Sequence, residues 1–131
     1  MFITVTALYA GLCALLFVGL GLRIPAMRRR LRINLGDGGD AAMLRAVRMH
    51  GNAAETIPLG LLLLAVIEIS GASLWLLHAV GGSLLAGRVL HAAGLATSDG
   101  GSWPRVLGMV LTWLSMLIAA AYALLIAASS F

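Results

Sequence analysis

From Val106 to Phe131 the chain carries no charged residue, and the same holds from Phe2 to Leu22 and from Ile69 to Gly87. Uncharged runs of this length constrain the fold more than any other feature. A hydrocarbon core of roughly 30 Å takes about 20 helical residues to cross, so each run is long enough, or nearly so, to span it. A fourth segment, Ala41 to Ile69, has charges in its first half and a continuous apolar run, Ile57 to Ile67, in its second. Lipid offers the backbone no hydrogen bonds, so segments that cross it must be helices. The expected fold is an all-α membrane protein, a single bundle of four transmembrane helices over residues 1–131. The helices are expected at about 2–24, 41–69, 73–96 and 103–129.

Composition supports lipid as the solvent: 61% of the residues are hydrophobic and 11% are charged, against about 25% charged in soluble domains. The net charge of +4 raises the question of nucleic acid. Seven of the nine Arg lie between Arg23 and Arg48, beside an apolar run, and no Trp, Tyr or Phe interleaves them to stack on bases. A juxtamembrane basic loop is the simpler account, with membrane lipids rather than nucleic acid as partner. The one cysteine, Cys13, lies inside an apolar segment and reads as inert core. No basic residue precedes Arg23, so a secretory n-region is missing and the first helix is expected to be retained.

Turn residues separate the segments. Gly36, Asp37, Gly38 and Gly39 form a turn, and Asp40 can cap the second helix. Ser70 and Gly71 make a tight turn. Ser98, Asp99, Gly100 and Gly101 form a third loop, with Ser102 as a cap and Pro104 in the first turn of the fourth helix. Trp75 and Trp103 sit near helix ends, where aromatic belts form. Rows of small residues, Ala119, Ala123 and Ala127 or Gly82 and Ala86, would allow close packing. Arg23, Arg28, Arg29, Arg30 and Arg32 place the first loop, and with it the third, on the cytoplasmic side, with both termini opposite.

Charged groups within membrane helices cost about 2.5–3.5 kcal/mol each at mid-helix on insertion scales, so they require a reason. On the second helix Arg45, Arg48, Asn52 and Glu55 are spaced 3, 4 and 3 apart, which makes one polar stripe. Arg88 and His91 share a face of the third helix. At a rise of about 1.5 Å per residue, Glu55 and Arg88 lie level and could pair. Asn52 and His91 follow, and Arg48 and Arg105 reach the interface. Such a layered pocket suits a small ligand carrying carboxylates and an amine, because Arg binds carboxylates bidentately and Glu accepts from ammonium. An internal ion-pair network is the plainer alternative. Pro58 removes one helical hydrogen bond and is expected to kink the second helix. His50 points away from Arg45 and reads as structural, His78 as isolated, and Glu68 as interfacial. No His, Cys or carboxylate cluster has metal-ligand spacing.

The run Arg45-Ala-Val-Arg48-Met-His50-Gly-Asn52-Ala-Ala-Glu55-Thr-Ile-Pro58 resembles the second-helix pattern of the MAPEG family, membrane-associated proteins in eicosanoid and glutathione metabolism. Arg88 and His91 are similar to its third-helix pattern, and Arg105 matches an Arg early in the fourth helix. The compact Leu35-Gly36-Asp37-Gly38-Gly39 loop looks like that of a short bacterial-type member, which implies the inner membrane. The resemblance implies a homotrimer with glutathione bound between subunits as co-substrate. It assigns glutathione contacts to Arg48, Asn52, Glu55 and His91, with a further one from Arg23 on the first helix, while Arg88 falls at the pocket floor by its depth. It gives Arg105 the catalytic task of stabilising the thiolate. Two positions depart from several eukaryotic members: Gly51 stands where they carry Arg, and Leu95 where they carry Tyr. Both changes remove contacts to glutathione or its sulfur.

The expected function is a glutathione-dependent membrane transferase or peroxidase acting on a lipid-soluble electrophile. The alternative is a non-catalytic membrane protein that binds an anionic metabolite or lipid headgroup, or a scaffold, and Gly51 and Leu95 favour it. A small proton-coupled exporter is the third class. It would need a carboxylate in the first helix, where Phe2 to Leu22 has none.

Overall fold

The computed structural model describes residues 3–97 and 100–129. Four helices follow one another: α1 (Thr4–Leu31), α2 (Ala41–Ile69), α3 (Leu74–Thr97) and α4 (Trp103–Ser129). Each is long and apolar enough to cross a membrane. They run alternately up and down. α1 packs on α2 and α3, and α4 packs on α3 and α2, while the backbones of α1 and α4 stay apart among the described residues. α3 is the most enclosed helix, and α1 and α4 turn most of their surface outward. In a membrane that outward surface faces lipid, so Trp75 and Trp103 stand exposed near helix starts.

α1 is longer than expected. Arg23, Arg28, Arg29 and Arg30 belong to the helix, with Arg28 to Arg30 in its last turn, and only Arg32 lies beyond it. The basic segment is therefore largely helix end rather than loop. Arg is a good helix former, and cations in the last turn offset the negative end of the helix dipole.

Asp40 caps α2 as expected: its Oδ1 accepts from the Met43 N–H at 2.7 Å. Gly36, Gly38 and Gly39 have φ of 69°, 60° and 76°, a region that side chains seldom tolerate, so the turn before α2 depends on them. Ser102 precedes α4, but its hydroxyl donates to the Gly94 carbonyl at 3.3 Å and so ties α4 to the end of α3. Ser98 and Asp99 of the expected third loop lie outside the described residues.

Core residues form three layers along the bundle. Val5, Leu64, Ile67, Leu77, Val80 and Ala119 fill the end near the α2–α3 turn. Cys13, Ala53 and Ile57 occupy the middle, and Ala46, Met49, Ala92 and Leu95 the far end. Glu68 does more than sit at the interface. Its two carboxylate oxygens accept from the Val5 and Thr6 N–H groups at 2.9 and 2.7 Å, capping the start of α1 from the end of α2. His78 is not isolated either, because the Tyr9 hydroxyl lies 3.2 Å from its Nδ1. His50 stacks against Phe17 with ring centroids 4.3 Å apart, in keeping with a structural role. Of the alanine row on α4, Ala119 is buried and Ala123 packs on the core, whereas Ala127 is exposed.

Candidate functional site at the α3–α4 seam and the open face of α2

The closest helix contact is between α3 and α4, and glycines make it. A Cβ on Gly108 would lie 2.5 Å from the His91 backbone N and 2.6 Å from the Gly87 carbonyl oxygen. One on Gly94 would lie 2.6 Å from the Arg105 N. Side chains there would push the helices apart, so these glycines fix the register that pairs Gly94 with Arg105 and His91 with Gly108.

This register decides what Arg88 meets. Its Nε donates to Thr112 Oγ1 at 2.9 Å, and an Nη reaches the Gly108 carbonyl at 3.4 Å. Thr112 in turn donates to the Gly108 carbonyl at 2.8 Å. Arg88 and His91 are each only 4% exposed. Arg88 therefore does not pair with Glu55 within one chain, as its estimated depth had suggested. The reason is that equal depth leaves the direction open, and α4 lies nearer than the stripe on α2. Arg105, half-buried in the first turn of α4, joins Arg88 and His91 along the same seam.

The α2 stripe lies elsewhere. Arg48 and Glu55 are exposed, and Asn52 is half-buried with its Nδ2 donating to the Arg48 carbonyl at 2.8 Å. The same outward side of α2 continues through exposed Leu59, Leu62, Val66 and Ile69, while Met43, Ala46, Met49, Ala53, Ile57, Gly60 and Leu64 face inward. Arg23 lines a separate groove with Ala26, Met27, Arg30 and Ala42. One chain thus divides the expected site residues into a buried set on α3 and α4, an open stripe on α2, and Arg23 on α1.

Starting level with Asn52 and Glu55 and reaching deeper, an apolar groove of about 330 Å³ runs between α1 and α2. Ala10, Ala14, Ala53 and Ala54 leave the space, with Phe17, Ile57 and Pro58 among its walls. α2 is continuous through Pro58, whose missing N–H leaves the Ala54 carbonyl without its usual helical partner at this groove. Thr112, Gly87, Gly94 and Gly108 are the site-forming residues that reasoning from spacing passed over. Their signal was present: glycines seven apart on α3, and Thr112 with Ser115 in the apolar middle of α4.

Comparison with known proteins agrees with this architecture. The chain is 40% identical over 114 residues to the inner membrane protein YecN of Escherichia coli K12, covering 87% of this chain and 86% of that protein. The protein of the same name from E. coli O6:H1 matches equally. The pattern of the MAPEG family matches residues 6–125, which takes in all four helices together with the stripe, the seam and Arg105. A four-helix membrane bundle matched over nearly its whole length in this way belongs to the MAPEG family.

Proposed function

We propose that this protein is a glutathione-dependent transferase or peroxidase of the bacterial inner membrane, acting as a homotrimer on apolar electrophiles. The observation that carries the reading is the open stripe of Arg48, Asn52 and Glu55 on a membrane-spanning helix. Charges facing lipid are costly, so a second chain and a polar ligand are what this face requires. Glutathione meets the need. Arg48 binds a carboxylate, Glu55 accepts from the ammonium, and Asn52 serves a peptide group. His91, Arg88 and Arg23 complete the surroundings from the other elements. The loops joining α1 to α2 and α3 to α4 face the cytoplasm, where glutathione is dissolved, and both termini lie opposite.

Arg105 performs the chemical task. A cysteine-type thiol has a pKa of about 8.5, so only a few per cent is nucleophilic at neutral pH. A permanently charged guanidinium, assisted by the positive end of α4, favours the thiolate. The thiolate sulfur then bonds to an electrophilic carbon as its leaving group departs with the bonding pair, or attacks a hydroperoxide oxygen and releases the alcohol, a second glutathione then giving the disulfide and water. The apolar groove between α1 and α2, or a neighbouring lipid-facing surface, holds that substrate.

A non-catalytic binding protein is the second reading, favoured by Gly51 and Leu95, which remove contacts made in several eukaryotic members. One experiment separates the two. Purified protein is mixed with glutathione and thiolate absorbance is followed against pH, then a generic electrophile is added. The enzyme reading expects thiolate at a lower pH than in free glutathione and conjugate formation, both lost in Arg105→Leu while glutathione stays bound. An unshifted thiol in the wild-type complex overturns it in favour of binding alone.

A further inference from the structure

α1 does not simply stop at Leu31. Arg32 adopts a left-handed φ of 57°, and its N–H returns to the Arg28 carbonyl. The Ile33 N–H reaches the same carbonyl at 3.1 Å. A non-glycine residue in that region is uncommon, and the reversal folds Arg32, Ile33 and Asn34 back beside Pro25, Arg28 and Arg29. These six residues line a groove of about 560 Å³.

The lining is chemically one-sided, with three guanidinium groups, one carboxamide and the apolar Pro25 and Ile33, and no carboxylate. The nearest acids along the chain, Asp37 and Asp40, lie outside the groove and accept from the backbone N–H groups of Gly39 and Met43. Arg28 Nη1 is shielded from solvent and has no acceptor among the described residues. A buried charged donor without a partner is unfavourable, and complementing the helix dipole does not relieve it, since that needs no contact at Nη1.

We infer that this groove binds the phosphodiester of an acidic phospholipid where α1 leaves the membrane. Guanidinium forks match phosphate oxygens two at a time, and Asn34 can donate to a third. Free phosphate offers the same oxyanion chemistry. The lipid is favoured by the position of the groove at the end of a membrane-spanning helix and by the apolar Pro25 and Ile33, which suit the glycerol and first acyl carbons. The site is separate from that proposed for glutathione, because Arg23 lines a different groove with Arg30 and Ala42.

The test uses full-length protein in phosphatidylcholine nanodiscs containing a minor fraction of phosphatidylglycerol, with retained lipid read by native mass spectrometry. Phosphatidylglycerol should be retained in preference to phosphatidylcholine. The Arg28→Gln/Arg32→Gln variant should weaken that retention at least about tenfold, as expected for the loss of two charge-assisted contacts to the phosphate. Arg23→Gln/Arg30→Gln, with the same loss of charge, should leave it nearly unchanged. Three results would each overturn the proposal: no preference in wild type, equal loss in both variants, or displacement of the lipid by millimolar inorganic phosphate. The wild-type preference and the phosphate competition decide the matter even if the first variant does not fold.

Discussion

Arg88 and Thr112 are joined by a buried hydrogen bond of 2.9 Å across the closest helix contact in the protein. The Arg88 guanidinium ties α3 to α4, and the hydroxyl that accepts from it is itself held in place by donating to the Gly108 carbonyl within α4. Replacing Thr112 by Val keeps the shape and removes the acceptor. Hydrogen bonds to charged groups contribute about 1.5–3 kcal/mol, so Thr112→Val should lower stability by that order and Thr112→Ser by much less. Unfolding by heat or denaturant in mild detergent measures both, and an unaffected Thr112→Val would refute the pairing.

The glycine seam gives a sharper contrast. A Cβ at Gly108 meets backbone atoms on α3, which cannot step aside, whereas one at Gly11 meets nothing within 4 Å. Gly108→Ala should cost about 1–3 kcal/mol through overpacking. Gly11→Ala should instead stabilise by up to about 1 kcal/mol through helix propensity. Equal effects at the two sites would mean that α3 and α4 are not in close contact.

Glu68 holds the first turn of α1 through the Val5 and Thr6 N–H groups. In Glu68→Gln the two charge-assisted bonds fall to one ordinary one, with an expected loss of about 1–2 kcal/mol. Amide exchange at Val5 and Thr6 should accelerate while the middle of α1 stays protected. Unchanged exchange at both amides would count against the cap.

Native mass measurement in mild detergent should yield three chains. The exposed Arg48 and Glu55 need cover that one chain does not give them. A stable monomer or dimer would contradict the proposed trimer.

Orientation can be read by labelling. Single cysteines at Asn34 and Ser73, both exposed, in a Cys13→Ala background should react from opposite sides of the membrane, with Asn34 cytoplasmic. Labelling of both from one side would overturn the arrangement.

The sequence by itself determined the four spans, the α2–α3 turn, the Asp40 cap and the polar periodicity of α2. These rest on local quantities: run length against membrane thickness, turn chemistry, and a period near 3.6. It also carried the family, since the α2 motif is a contiguous stretch. Only the tertiary structure decided what each polar face meets. Periodicity tells which residues share a side of a helix, and rise per residue tells their depth, but neither says which neighbour lies opposite. Arg88 and Glu55 illustrate the gap, because equal depth suggested a pair and the Gly87–Gly108 contact brought Thr112 to Arg88 instead. The C-terminal reach of α1 was hidden for a similar reason. Clustered Arg reads as an interfacial loop by composition, yet Arg favours helix and suits its negative end, so the chain turns only at Arg32.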